Sequence, residues 1–157
     1  MQGQKGVART CEVWVVQDND AHSVRGVLRG LHDQKEPAAQ GKLVAVIRGA
    51  IFDVAVDIHS GSPTYGRRVG ATLADTKHQM LYVPVGFAHG FCVLSDEADV
   101  VYKATAEYAP ELERGLRWDD LEPDIRWPVQ DPLLSPNDVR LPPLQKADHH
   151  FVYRGIP

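Results

Sequence analysis

Apolar and polar residues alternate along this chain with a period of two, in short runs, and that alternation predicts strands. Ile51-Phe-Asp-Val-Ala-Val-Asp-Ile58 sets Phe52, Val54, Val56 and Ile58 on one face and Asp53 and Asp57 on the other, as a strand with one buried face requires. Similar runs cover Glu12 to Val16, Arg25 to Leu31, Lys42 to Arg48, Arg67 to Leu73, Gln79 to Val83, Phe87 to Leu94 and Val100 to Thr105. Turn residues separate them: Arg48-Gly49-Ala50, Ser60 to Gly66, Pro84-Val-Gly86 and Ser95-Asp96. A helical period is missing from every window of a dozen residues, so helix is limited to a turn or two around Glu111 to Arg117. Beyond Trp118, prolines at 123, 128, 132, 136, 142 and 143 prevent ladder pairing and predict a wrap of loops. The fold class is therefore all-β, a sandwich or barrel. The last dozen residues, with His149-His150, are expected to fray or to be ordered by a partner.

The 157 residues fit one domain, 1–157, with a core large enough to need no staples. A formal charge of -4 leaves no basic face for nucleic acid or a membrane surface, so an anionic ligand must be held by a local cluster of cations. Cys11 and Cys92 make neither a Cys-x-x-Cys pair nor a disulfide framework, and no apolar run reaches the roughly 18 residues of a spanning helix. These features predict reduced thiols in a soluble cytoplasmic protein. Two arginines and a histidine, Arg25, Arg29 and His32, sit in an otherwise apolar strand-like run, and Lys42, His89, Tyr108 and Asp138 recur in similar settings. Histidine titrates near neutrality and nearby cations attract anions, so this pattern points to a site inside the barrel.

The strings Val16-Gln-Asp-Asn19, Arg25-Gly-Val-Leu-Arg-Gly-Leu-His32, Gln40-Gly-Lys-Leu-Val44, Gly61-Ser-Pro-Thr-Tyr65, Val83-Pro-Val-Gly-Phe-Ala-His-Gly-Phe91, Tyr102-Lys103, Glu107-Tyr-Ala-Pro110, Arg117-Trp-Asp-Asp120 and Leu134-Ser-Pro-Asn-Asp138 follow one another in an order that resembles the dTDP-4-dehydrorhamnose 3,5-epimerase family. The resemblance implies a jelly-roll, cupin-like barrel, usually a homodimer, that works without metal or organic cofactor. It also implies a nucleotide-diphosphate ketosugar substrate, dTDP-linked, whose C3 and C5 centres flank a C4 ketone. By the same resemblance His32 is the base with Asp138 as its carboxylate partner, Lys42 stabilises the enolate, and Tyr108 is the acid on the opposite face. Arg29, Arg25, Gln17, Asn19 and His89 are implied in substrate contact. Arg29 and His32 are three positions apart, so both can face one pocket only if the strand bulges, and Gly30 is the natural point.

Three departures from the family's pattern carry expectations. Only Met1 to Val16 precede the Gln-Asp-Asn string, where the family has a longer segment that supplies a crossing strand and an arginine. A changed nucleotide grip and dimer edge, with the crossing strand drawn from Cys11 to Val16, are expected. Asp33 stands where the family carries an aromatic or apolar residue, and Asn137 where it carries a cation. Alternative readings are an epimerase for C3 alone or C5 alone, a non-catalytic sugar-binding domain, and a metal-dependent cupin. The last would need paired strand histidines, and the only adjacent pair is His149-His150 in the tail.

Overall fold

Residues 14–155 are described by a computed structural model of the chain. Nine strands run β1 Gln17–Val24, β2 Leu28–Gln34, β3 Lys42–Arg48, β4 Ala50–Asp57, β5 Arg68–Ala74, β6 Met80–Val83, β7 Phe87–Val93, β8 Glu97–Ala104 and β9 Glu113–Gly115. They form two antiparallel sheets, one in the order β1-β8-β3-β6 and the other β5-β4-β7-β2-β9. Among the described residues, helix is confined to four single 3-10 turns at Asp75–Lys77, Pro110–Leu112, Asp138–Arg140 and Leu144–Lys146.

Two apolar layers hold this arrangement, and both use the strand period. Between the sheets, Val44, Val46, Ile51, Leu73, Phe91, Val93, Ala98 and Val100 fill one end of the barrel. On the outer face of the five-stranded sheet, Leu31, Val54, Val56, Ile58 and Ala88 are covered by Leu116, Leu144 and Phe151 of the chain that follows β9. A fully buried leucine or phenylalanine contributes about 1.5–3 kcal/mol, so these three side chains hold the wrap against the sheet.

That second layer corrects the one-sided view of Ile51–Ile58. The Phe52, Val54, Val56 face packs under the wrap, whereas Asp53 points between the sheets and is fully buried. Asp57 is buried too, accepting hydrogen bonds from Ser62, Thr64 and the backbone N–H of His59, which closes the loop after β4. Both faces of β4 are therefore interior.

Other boundaries also differ from expectation. The first described strand begins at Gln17, while Trp14 to Val16 are irregular and Glu12 and Val13 lie outside the described residues. The apolar run there misled, because β1 carries the sequence Gln-Asp-Asn-Asp-Ala-His-Ser-Val and, of its inward positions, Gln17, Asn19 and Ser23 are polar. The turn of helix expected around Glu111 to Arg117 is a single 3-10 turn at Pro110–Leu112, and β9 takes up the residues that follow. Nor does the described part of the tail, up to residue 155, fray. Phe151 is buried, Ser60 pairs with the backbone of Phe151 and Tyr153, and Asp148 binds Lys35 and Arg114.

The sharpest local constraint lies in β2. Arg29 pairs with Phe91 and His32 with His89, so β2 fits one extra residue against β7. Gly30 absorbs it at φ +117°, and a Cβ there would lie 2.7 Å from both the Gly90 Cα and the His89 carbonyl oxygen. Gly90 is equally constrained, since its Cβ would come within 2.6 Å of the Arg29 carbonyl oxygen. Gly26, at φ +81°, has nothing within 4 Å of its Cβ position.

Gly26→Ala should therefore lose only the left-handed backbone penalty of about 1–2 kcal/mol. Gly30→Ala must in addition push two strands apart, and its loss should be larger by at least about 1–3 kcal/mol. Urea unfolding midpoints of the two variants check this ordering.

Candidate active site

Between the sheets, at the end away from the apolar core, lies an open cavity of about 590 Å³. Arg29, His32 and His89 enter it from the five-stranded sheet, and Gln17, Asn19, Lys42 and Tyr102 from the facing sheet. Tyr108, Glu113, Ser135 and Asp138 border it from the connecting segments and β9. The bulge at Gly30 is what lets Arg29 and His32 share this wall, as the spacing required.

His32 Nε2 lies 2.6 Å from Asp138 Oδ1. A carboxylate accepts, so the imidazole carries its proton on Nε2 and keeps Nδ1 as an acceptor. Asp138 starts a 3-10 turn of the wrap, with its backbone N–H on Ser135 Oγ. Burial alone would raise its carboxyl. The His32 hydrogen bond and charge, with the Ser135 hydroxyl and the Gly30 N–H, outweigh burial and hold Asp138 below the usual carboxylate range.

A second imidazole–carboxylate pair stands beside the first. His89 Nε2 meets Asp53 Oδ1 at 2.6 Å, and both side chains are buried. His89 is thus fixed by the aspartate that the strand pattern had turned outward. Lys42 makes no side-chain hydrogen bond among the described residues. Burial pulls its ammonium below the ordinary lysine value, opposed by the charges of Asp33, Glu113 and Asp53.

The remaining expected residues divide. Arg29 lines the cavity and is steadied by Ser23 Oγ and the His22 carbonyl. Gln17 and Asn19 line it too, but Gln17 donates to Asn19 and accepts from the Tyr108 N–H. Arg25 is not brought to the cavity; it sits exposed in the β1–β2 turn, bound to Asp96 and the Leu94 carbonyl. Asp33 is buried with His149 3.6 Å away and no hydrogen bond to either oxygen. Asn137 accepts from Arg140. No three or more His, Cys, Asp or Glu residues cluster to hold a metal among the described residues.

Two tyrosines border the cavity, and sequence reasoning gave a role to only one. Tyr108 is 52% exposed at the mouth and donates to Glu113 Oε2 at 3.1 Å. Tyr102 is less exposed and stands on β8 between Asn19 and Val44, facing the His32 wall. Burial pushes its hydroxyl up, Arg29 pulls it back and Glu113 pushes it up again, for a net rise. A protonated phenol therefore persists there well above neutrality. The alternation Val100, Tyr102, Ala104 was the signal that could have found it. Glu113 had no such signal, because its inward direction depends on β9.

Residues 2–146 match the family model for dTDP-4-dehydrorhamnose 3,5-epimerase. The chain is 51% identical over 146 residues to the dTDP-4-dehydrorhamnose 3,5-epimerase of Shigella flexneri, covering 93% of this chain and 80% of that protein. Its structure is similar, at a TM-score of 0.88 and 44% identity, to a dTDP-6-deoxy-D-glucose-3,5-epimerase from Legionella pneumophila in complex with dTDP-4-keto-L-rhamnose, covering 92% of this chain and 78% of that one. A 3'-monoepimerase from Streptomyces bikiniensis, solved with dTDP as a double mutant in a histidine and a tyrosine seventy positions apart, is 36% identical with a TM-score of 0.79, covering 83% of this chain and 66% of that one. The double-sheet jelly roll is shared with these structures.

Because the Asp138 carboxyl is held below its unfolded value, its contribution to stability is complete above about pH 4 and is lost as pH falls through the folded value. Asp138→Asn should destabilise the protein at pH 7, and the gap to the wild type should close progressively below about pH 4. Denaturant titrations of both proteins across that range measure it.

Proposed function

The chain belongs to the dTDP-4-dehydrorhamnose 3,5-epimerase family, and from that membership we propose how its own residues carry out the reaction. The protein is an isomerase that epimerises a nucleotide-linked 4-keto-6-deoxyhexose, and we assign it inversion at both C3 and C5. A hydrogen next to the C4 ketone is acidic because the charge left behind spreads onto the carbonyl oxygen. His32 Nδ1 takes that proton, and Asp138 holds the tautomer and stabilises the imidazolium. Lys42 stabilises the enolate oxygen electrostatically.

Inversion requires the new proton to arrive on the opposite face, so the acid must stand across the cavity from His32. That requirement is the observation on which the assignment turns: His32 and Tyr102 stand on facing sheets of one cavity. The family resemblance assigns the acid to Tyr108, but its exposure and its bond to Glu113 favour a role at the mouth. Tyr102 follows His32 by seventy positions, the interval between the exchanged histidine and tyrosine of the 3'-monoepimerase. We therefore assign Tyr102 as acid and Tyr108 to substrate contact, with Arg29, His89 and Asn19. Arg29 is the described cavity residue best suited to the diphosphate, and Arg25 is left out of the binding set.

A homodimer is also part of this reading. Leu43, Ala45, Met80 and Tyr82 form an apolar strip on the outer face of the four-stranded sheet, with Ile47 63% exposed beside it. Such a strip favours burial against a second copy. Of the crossing strand expected from Cys11 to Val16, Cys11 to Val13 lie outside the described residues and Trp14 to Val16 are irregular. No described helix is long and apolar enough to cross a membrane, and the buried, free Cys92 suits the reducing cytoplasm assigned here.

The assignment is tested by incubation with dTDP-4-keto-6-deoxyglucose in heavy water, following C3 and C5 by NMR. The wild type should exchange and invert at both, with no effect of chelators. His32→Ala should lose exchange at both carbons, by about 100-fold or more. Tyr102→Phe should retain exchange while inversion falls, and Tyr108→Phe should chiefly raise KM. The reverse outcome for the two tyrosines would return the acid to Tyr108. A dimer at micromolar concentration is expected in sedimentation, and a stable monomer would contradict it.

A further inference from the structure

Four residues, Ala106 to Ala109, carry Tyr108 across the cavity mouth, and their backbone is held by amide side chains rather than by a strand. Gln40 Nε2 donates to the Ala106 carbonyl at 2.6 Å, and Gln34 Nε2 to the Glu107 carbonyl at 3.1 Å. The Tyr108 N–H donates to Gln17 Oε1 at 2.7 Å and the Ala109 N–H to Gln34 Oε1 at 2.9 Å. Gln34 also donates to the Ala38 carbonyl at 2.7 Å, so both ends of its amide are engaged.

We propose that Gln34 is a positioning residue that latches the 106–109 segment, and through it Tyr108, in the geometry that receives the substrate. The proposal rests on the reading of the cavity as the sugar-nucleotide site. Gln34 is 4% exposed and lies two positions after His32 on the same strand, so the base and the latch move as one body. Only a carboxamide can donate to two carbonyls and accept from an N–H at once. Glutamate cannot donate, and leucine leaves three backbone groups without partners. Tyr108 stands half exposed with its hydroxyl on Glu113 and makes no hydrogen bond to His32 or Asp138, so the latch acts on binding rather than on proton transfer.

The test pairs a readout that needs no substrate with one that does. Amide hydrogen exchange of the unliganded Gln34→Leu protein should show protection lost at Tyr108 and Ala109 and retained in β7 and β8. Its KM for the nucleotide-sugar should rise about tenfold or more, with kcat within about threefold, as loss of two or three neutral hydrogen bonds would produce. Gln40→Leu, which removes one bond from a less buried position, should move both readouts the same way by less. In a Tyr108→Ala background, Gln34→Leu should raise KM little further, because the two act through one segment. Unchanged protection at Tyr108 and Ala109, an unchanged KM, or fully additive effects would overturn the latch. Absence of any epimerase activity in the wild type would instead refute the functional reading, while the exchange result would still decide whether the latch exists.

Discussion

A carboxylate and an imidazole 106 positions apart in sequence meet at 2.6 Å, and the cavity is organised about that contact. His32 comes from β2, between β7 and β9 in the five-stranded sheet, and Asp138 from the proline-rich wrap, so the bond forms only when the wrap has docked on Leu31, Val54 and Ile58. The bulge at Gly30 is the other half of the constraint. It turns His32 inward after Arg29 and aims the Gly30 N–H at the same carboxylate. Burial of an acid beside a base would be unfavourable without these donors. With them the aspartate remains ionised, and the imidazole has one tautomer.

A double-sheet barrel suits epimerisation for a geometric reason. Two sheets pack about 10 Å apart, so a sugar between them meets different side chains on its two faces. One wall brings His32, with His89 fixed by Asp53; the other brings Tyr102 and Lys42. Proton removal and return can then come from opposite sides without any large movement of the protein. Burial lowers Lys42 against the opposing charges of Asp33, Glu113 and Asp53, and raises Tyr102, which keeps that phenol protonated and able to donate.

The sequence reading was strongest where residue patterns are local. Period-two runs located seven of the nine strands to within a few residues, and the prolines after Trp118 located the wrap. It failed where direction depends on neighbours far away. Asp53 looked like a solvent residue because nothing in Ile51–Ile58 reveals that a second layer covers the other face. β1 was missed because its inward positions, Gln17 and Asn19, face a polar cavity and break the apolar alternation. Arg25 was grouped with Arg29 and His32 by proximity, yet the strand begins three residues later and leaves it in a turn. In the candidate site, the resemblance carried His32, Asp138 and Lys42 as a set, and the cavity brings those three together. Tyr102 and Gln34 required the facing sheets and the 106–109 segment to be seen in space.

The central claim is that Asp138 fixes the His32 imidazole with its proton on Nε2, leaving Nδ1 free to act as base. Nitrogen-15 NMR of histidine-labelled protein, with His32 assigned by comparison with His32→Asn, measures this directly. The account predicts that the neutral imidazole of His32 carries its proton on Nε2, with Nδ1 unprotonated. A proton on Nδ1, or an even mixture of the two tautomers, would contradict it.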